Sequence, residues 1–156
     1  MIVVAIDGPS GAGKSSTAKA VAQRAGWNYL DTGALYRAMT WLALRESVES
    51  APDILAALKR FPLRFVANPA KPESFVGDVC VNVEIRSEDV TNAVSKFSAI
   101  PELRAELLNV QRKFIANADR QRWMHLHPMS DNHLKRAIKL IPREPHQRLL
   151  NHLMRF

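Results

Sequence analysis

Ile2-Val3-Val4-Ala5-Ile6-Asp7-Gly8-Pro9-Ser10-Gly11-Ala12-Gly13-Lys14-Ser15 is the stretch whose reading decides the fold. Its first five residues are a continuous, β-branched-rich apolar run, the pattern of a strand buried on both faces of a parallel sheet. The glycine-rich turn follows at once. From Lys14 to about Ala25 the spacing becomes helical, with Ala18, Val21, Ala22 and Ala25 on one face and Gly26 as the stop. Gly8-x-x-x-x-Gly13-Lys14-Ser15 is then a complete phosphate-binding loop in its required strand–loop–helix context. Its glycines let successive N–H groups turn inward around a phosphate, and the positive end of the helix reinforces them. The ATP-binding set is Gly8, Pro9, Ser10, Gly11, Ala12, Gly13, Lys14, Ser15 and Ser16. Lys14 is the candidate catalytic residue, reaching the β- and γ-phosphates, and the Ser15 hydroxyl is the candidate ligand for Mg²⁺. The ordinary alternative is a glycine-rich turn with no ligand.

Outward from this loop, Trp27–Leu30 reads as a second short strand, and Ala34 to about Leu44 as a helix. Pro52-Asp53 opens another helix. Leu63–Ala67 and Phe75–Val83 are strand-like around the turn-forming Asn68-Pro69-Ala70-Lys71-Pro72, a small β excursion inserted into an α/β domain. Val90, Val94 and Phe97 restore helical spacing, and Leu103, Leu107, Val110 and Phe114 form an apolar stripe expected to be core. Past Asn117 no β-branched run offers another buried parallel strand, so the sheet is expected to be incomplete. Amphipathic patterns at Leu134–Ile141 and Leu149–Met154 are the helical possibilities there.

The chain has 156 residues, 47% apolar and 24% charged, which suits one globular domain and argues against disorder. Its net charge of +7 is unevenly spread. Residues 119–156 hold eight Lys or Arg, three acidic residues and all five histidines. The body before them is nearly balanced. No membrane span or signal peptide is expected, and the single Cys80 cannot close an internal disulfide, so a cytoplasmic monomer is the expectation. His125 and His127 alternate as strand ligands would, but no cysteine or spaced carboxylate completes a metal set.

Ile6–Ser15, together with Leu30-Asp31-Thr32-Gly33-Ala34-Leu35-Tyr36-Arg37, resembles the bacterial cytidylate kinases. Glu84-Ile85-Arg86, Val94-Ser95-Lys96 and Ala99-Ile100-Pro101-Glu102-Leu103-Arg104 continue the likeness, which spans about residues 2–116. The resemblance implies a P-loop nucleoside monophosphate kinase fold with an inserted monophosphate-binding subdomain at about 34–112, in a core of residues 1–116. It implies transfer of the γ-phosphate of Mg²⁺-ATP to CMP or dCMP. The chemistry of the matched residues agrees. Thr32 can cap the helix after a short strand while N–H groups meet an anion. Gly33 lies in the same turn, and Arg37 can fork onto a monophosphate. By resemblance Thr32, Gly33 and Arg37 hold the CMP phosphate, while Ser95 and Arg104 contact the cytosine. Read singly, Ser95 is equally an exposed helix position and Arg104 a partner of Glu102 or Glu106.

Two departures stand out. Where the family has an Asp-Val pair before Glu84, this chain reads Cys80-Val81, with Asp78-Val79 two residues early. More seriously, the family continues into a strand carrying Asp-Gly-Arg-Asp and then an arginine-bearing lid. Residues 117–156 are instead a divergent basic tail without that segment. The implied kinase is therefore expected to be impaired. The alternatives are an inactive nucleotide-binding remnant or a basic nucleic-acid-binding module built on the tail, although no nucleic-acid partner is expected of the body. The composition break is that of a frameshifted or truncated reading frame. The coding DNA is expected to carry Asp-Gly-Arg-Asp in another frame beyond codon 117, and a search of all frames that finds none removes the frameshift.

Overall fold

The computed structural model of the chain describes residues 3–6, 13–116 and 123–126. β1 (Val3–Ile6) leads to α1 (Lys14–Ala25), β2 (Asn28–Leu30) and α2 (Thr32–Arg45). α3 (Ala51–Arg60) follows, then the short strands β3 (Leu63–Val66), β4 (Glu73–Val76) and β5 (Val79–Cys80). A 3₁₀ turn at Glu84–Arg86, the helices α4 (Glu88–Ser98) and α5 (Pro101–Ala116), and β6 (Trp123–Leu126) complete the order. The α/β class and the helices expected from apolar spacing are present.

The strands fall into two small sheets. In the first, β6 lies between β1 and β2 and runs parallel to both, with Ile6 opposite Leu126 and Leu30 opposite His125. This corrects the expectation that nothing past residue 117 supplies a parallel strand. Trp123-Met124-His125-Leu126 has no β-branched residue, so periodicity and propensity gave no signal. The slot between β1 and β2 recruits it. Those two strands are joined by α1 and do not pair with each other, so the backbone groups facing the gap need a third strand.

The second sheet is the antiparallel meander β3-β4-β5, with Arg64 opposite Phe75 and Val76 opposite Val79. Phe75–Val83, read from sequence as one strand, is in fact broken at Gly77-Asp78. Gly77 has φ +56, as the first central position of a type II′ hairpin turn requires. The guanidinium of Arg64 lies 4.1 Å from the Phe75 ring centre, so the cross-strand pair is also a cation–π contact.

The core sits around α2. Leu35, Ala38, Met39, Thr40 and Leu42 are each 0% exposed, so this helix is enclosed on more than the single stripe of a surface helix. Packed against it are Ile54 and Ala57 of α3, Phe65 and Val76 of the meander, Ile85, Phe97 of α4, and Leu103 and Leu107 of α5. Thr40 is tolerated there because its hydroxyl donates to the Tyr36 carbonyl at 2.9 Å. The α5 stripe behaves as expected: Leu103 and Leu107 are fully buried, and Phe114 meets Phe65 edge-on at 6.1 Å. A smaller cluster under α1 joins Ala18, Ala22, Trp27 and Tyr29 to Val4 and Ile6, with small residues letting the helix approach the sheet closely. The Tyr29 N–H donates to the Ala67 carbonyl at 2.9 Å, tying β2 to the chain just beyond β3.

Two helices end in the same Schellman geometry with different residues at the left-handed position. After α1, Trp27 N–H bonds Ala22 C=O at 2.9 Å and Gly26 has φ 65. After α2, Val48 N–H bonds Ala43 C=O at 3.0 Å, but the residue at φ 54 is Ser47. A Cβ in that conformation costs about 1 kcal/mol. Ser47→Gly is therefore expected to stabilise the chain by about 0.5–1 kcal/mol in denaturant titration, and an unchanged or lowered midpoint refutes this.

Candidate active site

β1 and β2 are parallel and flank β6, so the chain leaves both at the same edge of the sheet, about 9.5 Å apart at two strand spacings. That edge is where open α/β sheets bind ligands. After β1 the expected phosphate loop runs through Gly8, Pro9, Ser10, Gly11 and Ala12, which lie outside the described residues. Its end is described. Gly13 has φ 74, a left-handed value that favours glycine, and turns the chain into α1 without a side-chain cap. The first intrahelical bond runs from Thr17 N–H to Gly13 C=O, so the N–H groups of Lys14, Ser15 and Ser16 point out of the positive end of the helix.

After β2, Asp31 rather than Thr32 caps α2. Its backbone is extended at φ −89 and ψ 98, and its Oδ1 accepts from Ala34 N–H at 3.1 Å. Thr32 is the first helical residue and is 1% exposed, a position in which its side chain is packed rather than capping. The Asp31 cap also explains Gly33, because a Cβ there would come 3.2 Å from Asp31 Oδ1.

Arg37, one turn into α2, is half-buried and held from across the site. Its Nη1 donates to Ile85 C=O at 3.2 Å and to Thr91 Oγ1 at 2.9 Å. The Thr91 hydroxyl in turn donates to Ser87 C=O at 2.9 Å. Both Arg37 bonds use Nη1, so the remaining face of the fork is available to an anion.

These pieces converge on one cleft of about 490 Å³. It is lined by Gly13, Lys14, Ser15 and Ser16 on one side, by Asp31, Gly33, Ala34 and Arg37 on the other, and by Ile85 and Arg86. The volume suits a small-molecule site. Donor-side Lys14 and Ser15 and acceptor-side Gly33 and Arg37, chosen from sequence, are thus brought together. Thr32 is buried beside them. Ser95, exposed on α4, and Arg104 on α5 do not line this cleft. Arg104 Nη1 donates to Ser98 C=O at 3.2 Å instead of pairing with Glu102 or Glu106. Asp31, Ala34, Ile85 and Arg86 are the cleft residues that sequence reasoning did not single out. Asp31 carried a readable signal, a capping residue ahead of a helical run, whereas Arg86 enters only through the tertiary placement of its 3₁₀ turn.

Beneath the cleft is Tyr29, 1% exposed. Its hydroxyl donates to Asp31 Oδ2 at 3.3 Å. Burial, then the Asp31 charge, push the phenol well above its ordinary pKa, so it stays protonated. Tyr36 is also raised by burial, with the Arg104 charge opposing. The hydroxyl of Ser15 and the carboxylate of Asp31 are hard oxygen donors at one cleft, a set suited to Mg²⁺ held by one or two protein oxygens and a nucleotide. Among the described residues no group of three His, Cys, Asp or Glu forms a separate metal site, and no helix is long and apolar enough to cross a membrane. The histidines of residues 127–156 lie outside the described residues, as do the two amphipathic patterns there.

A family model described as cytidylate kinase matches residues 4–121, reaching slightly beyond the likeness read from motifs. A cytidylate kinase of Streptococcus thermophilus is 46% identical over 115 residues, 72% of this chain and 51% of that protein. One from Streptococcus pneumoniae is 44% identical over 115 residues, 72% and 52% of the two chains. One from Corynebacterium efficiens is 42% identical over 121 residues, 76% and 53%. The chain spans about half the length of these relatives. A family match over most of the chain, falling on the strand, loop and helices that build the cleft, means that the chain belongs to the cytidylate kinase family.

Proposed function

We propose that the cleft takes Mg²⁺-ATP and CMP or dCMP and transfers the γ-phosphoryl group between them, giving ADP and CDP or dCDP. The carrying observation is that the start of α1, with Lys14 and Ser15, and Arg37 of α2 line one cleft. Relatives named cytidylate kinase support the choice of pyrimidine acceptor.

In this reading residues 1–116 form a P-loop nucleoside monophosphate kinase core with an insertion at about 34–112. An oxygen of the CMP phosphate attacks the γ-phosphorus, and the bond to the β-γ bridging oxygen breaks, leaving ADP. Such a transfer needs positioning and charge neutralisation more than a covalent catalyst. Gly8–Ser16 cradle the triphosphate, and Lys14 follows the β- and γ-phosphates. Mg²⁺, when bound at Ser15, neutralises charge on the phosphate oxygens. Thr32, Gly33 and Arg37 hold the CMP phosphate. The two bonds that fix Arg37 to Ile85 and Thr91 favour that role, because a fork oriented beforehand loses little entropy on binding. Ser95 and Arg104 contact the cytosine. Their support is the family order of the motifs. A cytoplasmic monomer is part of the proposal, on the composition and the lone cysteine.

One observation favours a second reading, a nucleotide-binding remnant with little catalysis. β6 follows α5, the place that the family resemblance gives to the Asp-Gly-Arg-Asp strand, yet it reads Trp123-Met124-His125-Leu126 and continues His127-Pro128. The strand's pairing is kept while its charged side chains are replaced. A missing arginine clamp costs several decades in rate.

ATP and CMP are each expected to raise the melting temperature, by the equivalent of about 2.7 kcal/mol at roughly 100 times Kd. Stabilisation by ATP alone selects the remnant, and stabilisation by neither removes both readings. Arg37→Gln is expected to weaken CMP about 10- to 100-fold, the worth of a hydrogen bond to a charged group, and to leave ATP unaffected. A coupled assay is expected to show weak or no CMP phosphorylation, and normal turnover refutes the impairment.

A further inference from the structure

Arg37 lines the cleft from a half-buried position, and neutral oxygens alone hold it. Its Nη1 donates to Ile85 C=O at 3.2 Å and to Thr91 Oγ1 at 2.9 Å, and among the described residues no carboxylate pairs with it. A guanidinium can only donate, so the Thr91 oxygen is the acceptor in that bond. The Thr91 proton goes the other way, to Ser87 C=O at 2.9 Å, one turn back. Ser87 is itself fixed as the cap of α4. Its carbonyl also accepts from Thr91 N–H at 3.0 Å, and its hydroxyl accepts from Val90 N–H at 3.4 Å. With its proton committed to Ser87, the Thr91 hydroxyl keeps lone pairs for Arg37. The second holder is equally fixed, because the Ile85 side chain is 2% exposed and anchored in the core.

Thr91 itself is exposed on α4 and does not line the cleft. Read alone, it is a surface threonine whose hydroxyl returns to the carbonyl four residues back. The bond from Arg37 sets it apart, and so does its neutrality. A carboxylate at this place would bind the guanidinium more strongly, but it would also compete with any incoming anion. A hydroxyl fixes the guanidinium and leaves its charge intact.

We infer that Thr91 is a positioning residue for the acceptor: its hydroxyl locks the Arg37 guanidinium in place beside the cleft without neutralising it, so that the full charge meets the phosphate of a nucleoside monophosphate. The grip on the acceptor then depends on the capped first turn of α4, a helix whose own side chains stand outside the cleft. A guanidinium fixed beforehand loses less freedom on binding than one that must be ordered by its ligand. The inference rests on the proposed role of Arg37 in holding CMP, and its test separates the two.

The experiment is calorimetric titration of the full chain with CMP, and separately with ATP, using wild type, Thr91→Ser, Thr91→Val and Thr91→Asp. The exposed position lets all three variants fold. Thr91→Val keeps the branched shape and removes the acceptor, so CMP is expected to weaken about 3- to 10-fold, the worth of one hydrogen bond. Thr91→Ser restores the hydroxyl and is expected to bind CMP within about twofold of wild type. Thr91→Asp places a charge where the neutral holder stood, and CMP is expected to weaken at least about 10-fold. ATP affinity is expected to stay within about twofold throughout, since its loop lies on the other side of the cleft. Equal weakening of CMP and ATP overturns the inference in favour of a structural role. Thr91→Ser as weak as Thr91→Val overturns it, because the hydroxyl is then not what matters. Unchanged CMP affinity in Thr91→Val or Thr91→Asp overturns it in favour of an ordinary helix-surface threonine. Wild-type protein that binds ATP but not CMP refutes the acceptor reading of Arg37, and the inference with it.

Discussion

Enclosure of α2 is the constraint on which the rest of the structure depends. A helix buried over most of its circumference must be supplied with apolar surface by several elements at once. Here α3, the meander, the 3₁₀ turn, α4 and α5 all contribute. At about 1.5–3 kcal/mol for each fully buried large side chain, Leu35, Met39 and Leu42 make this packing hard to give up piecemeal. The functional consequence lies at the helix N-terminus. Asp31, Gly33 and Arg37 inherit the rigidity of a core element while facing an open cleft, so the acceptor side needs no separate scaffold.

The donor side is anchored differently. α1 rests on a small cluster of alanines over β1 and β2, and its glycine start leaves the N-terminal backbone donors outward. The two sides are held at a fixed separation by β6, the strand between them. That geometry makes a last-added strand the spacer of the site. On the proposed reading, replacement of the family's charged segment in β6 weakens catalysis without unmaking the sheet, because strand pairing uses backbone groups and charge neutralisation uses side chains.

Legibility followed the range of the interactions. The glycine start of α1 at Gly13, its Gly26 stop and α5 with its Leu103–Phe114 stripe were readable because each is set by neighbours within a few residues. The break at Gly77 was missed because Val76 and Val79 are both apolar and hid the turn. Thr32 was taken for the cap because either it or Asp31 could serve, and only the backbone placed Asp31 one residue ahead of the helix. Arg86 was unreadable as a cleft residue, since nothing local ties a 3₁₀ turn to a loop far away in sequence.

By itself, then, the sequence determined the α/β class, the start and stop of α1 and the family to which the chain belongs, all of which rest on contiguous motifs with local physical causes. The tertiary structure alone decided that β6 fills the slot between β1 and β2, that Asp31 caps α2, and that Arg86 reaches the cleft. Those outcomes follow from backbone groups needing partners and from helices sharing one core. Such demands are met by whichever segment arrives at the right place, not by a pattern the segment carries.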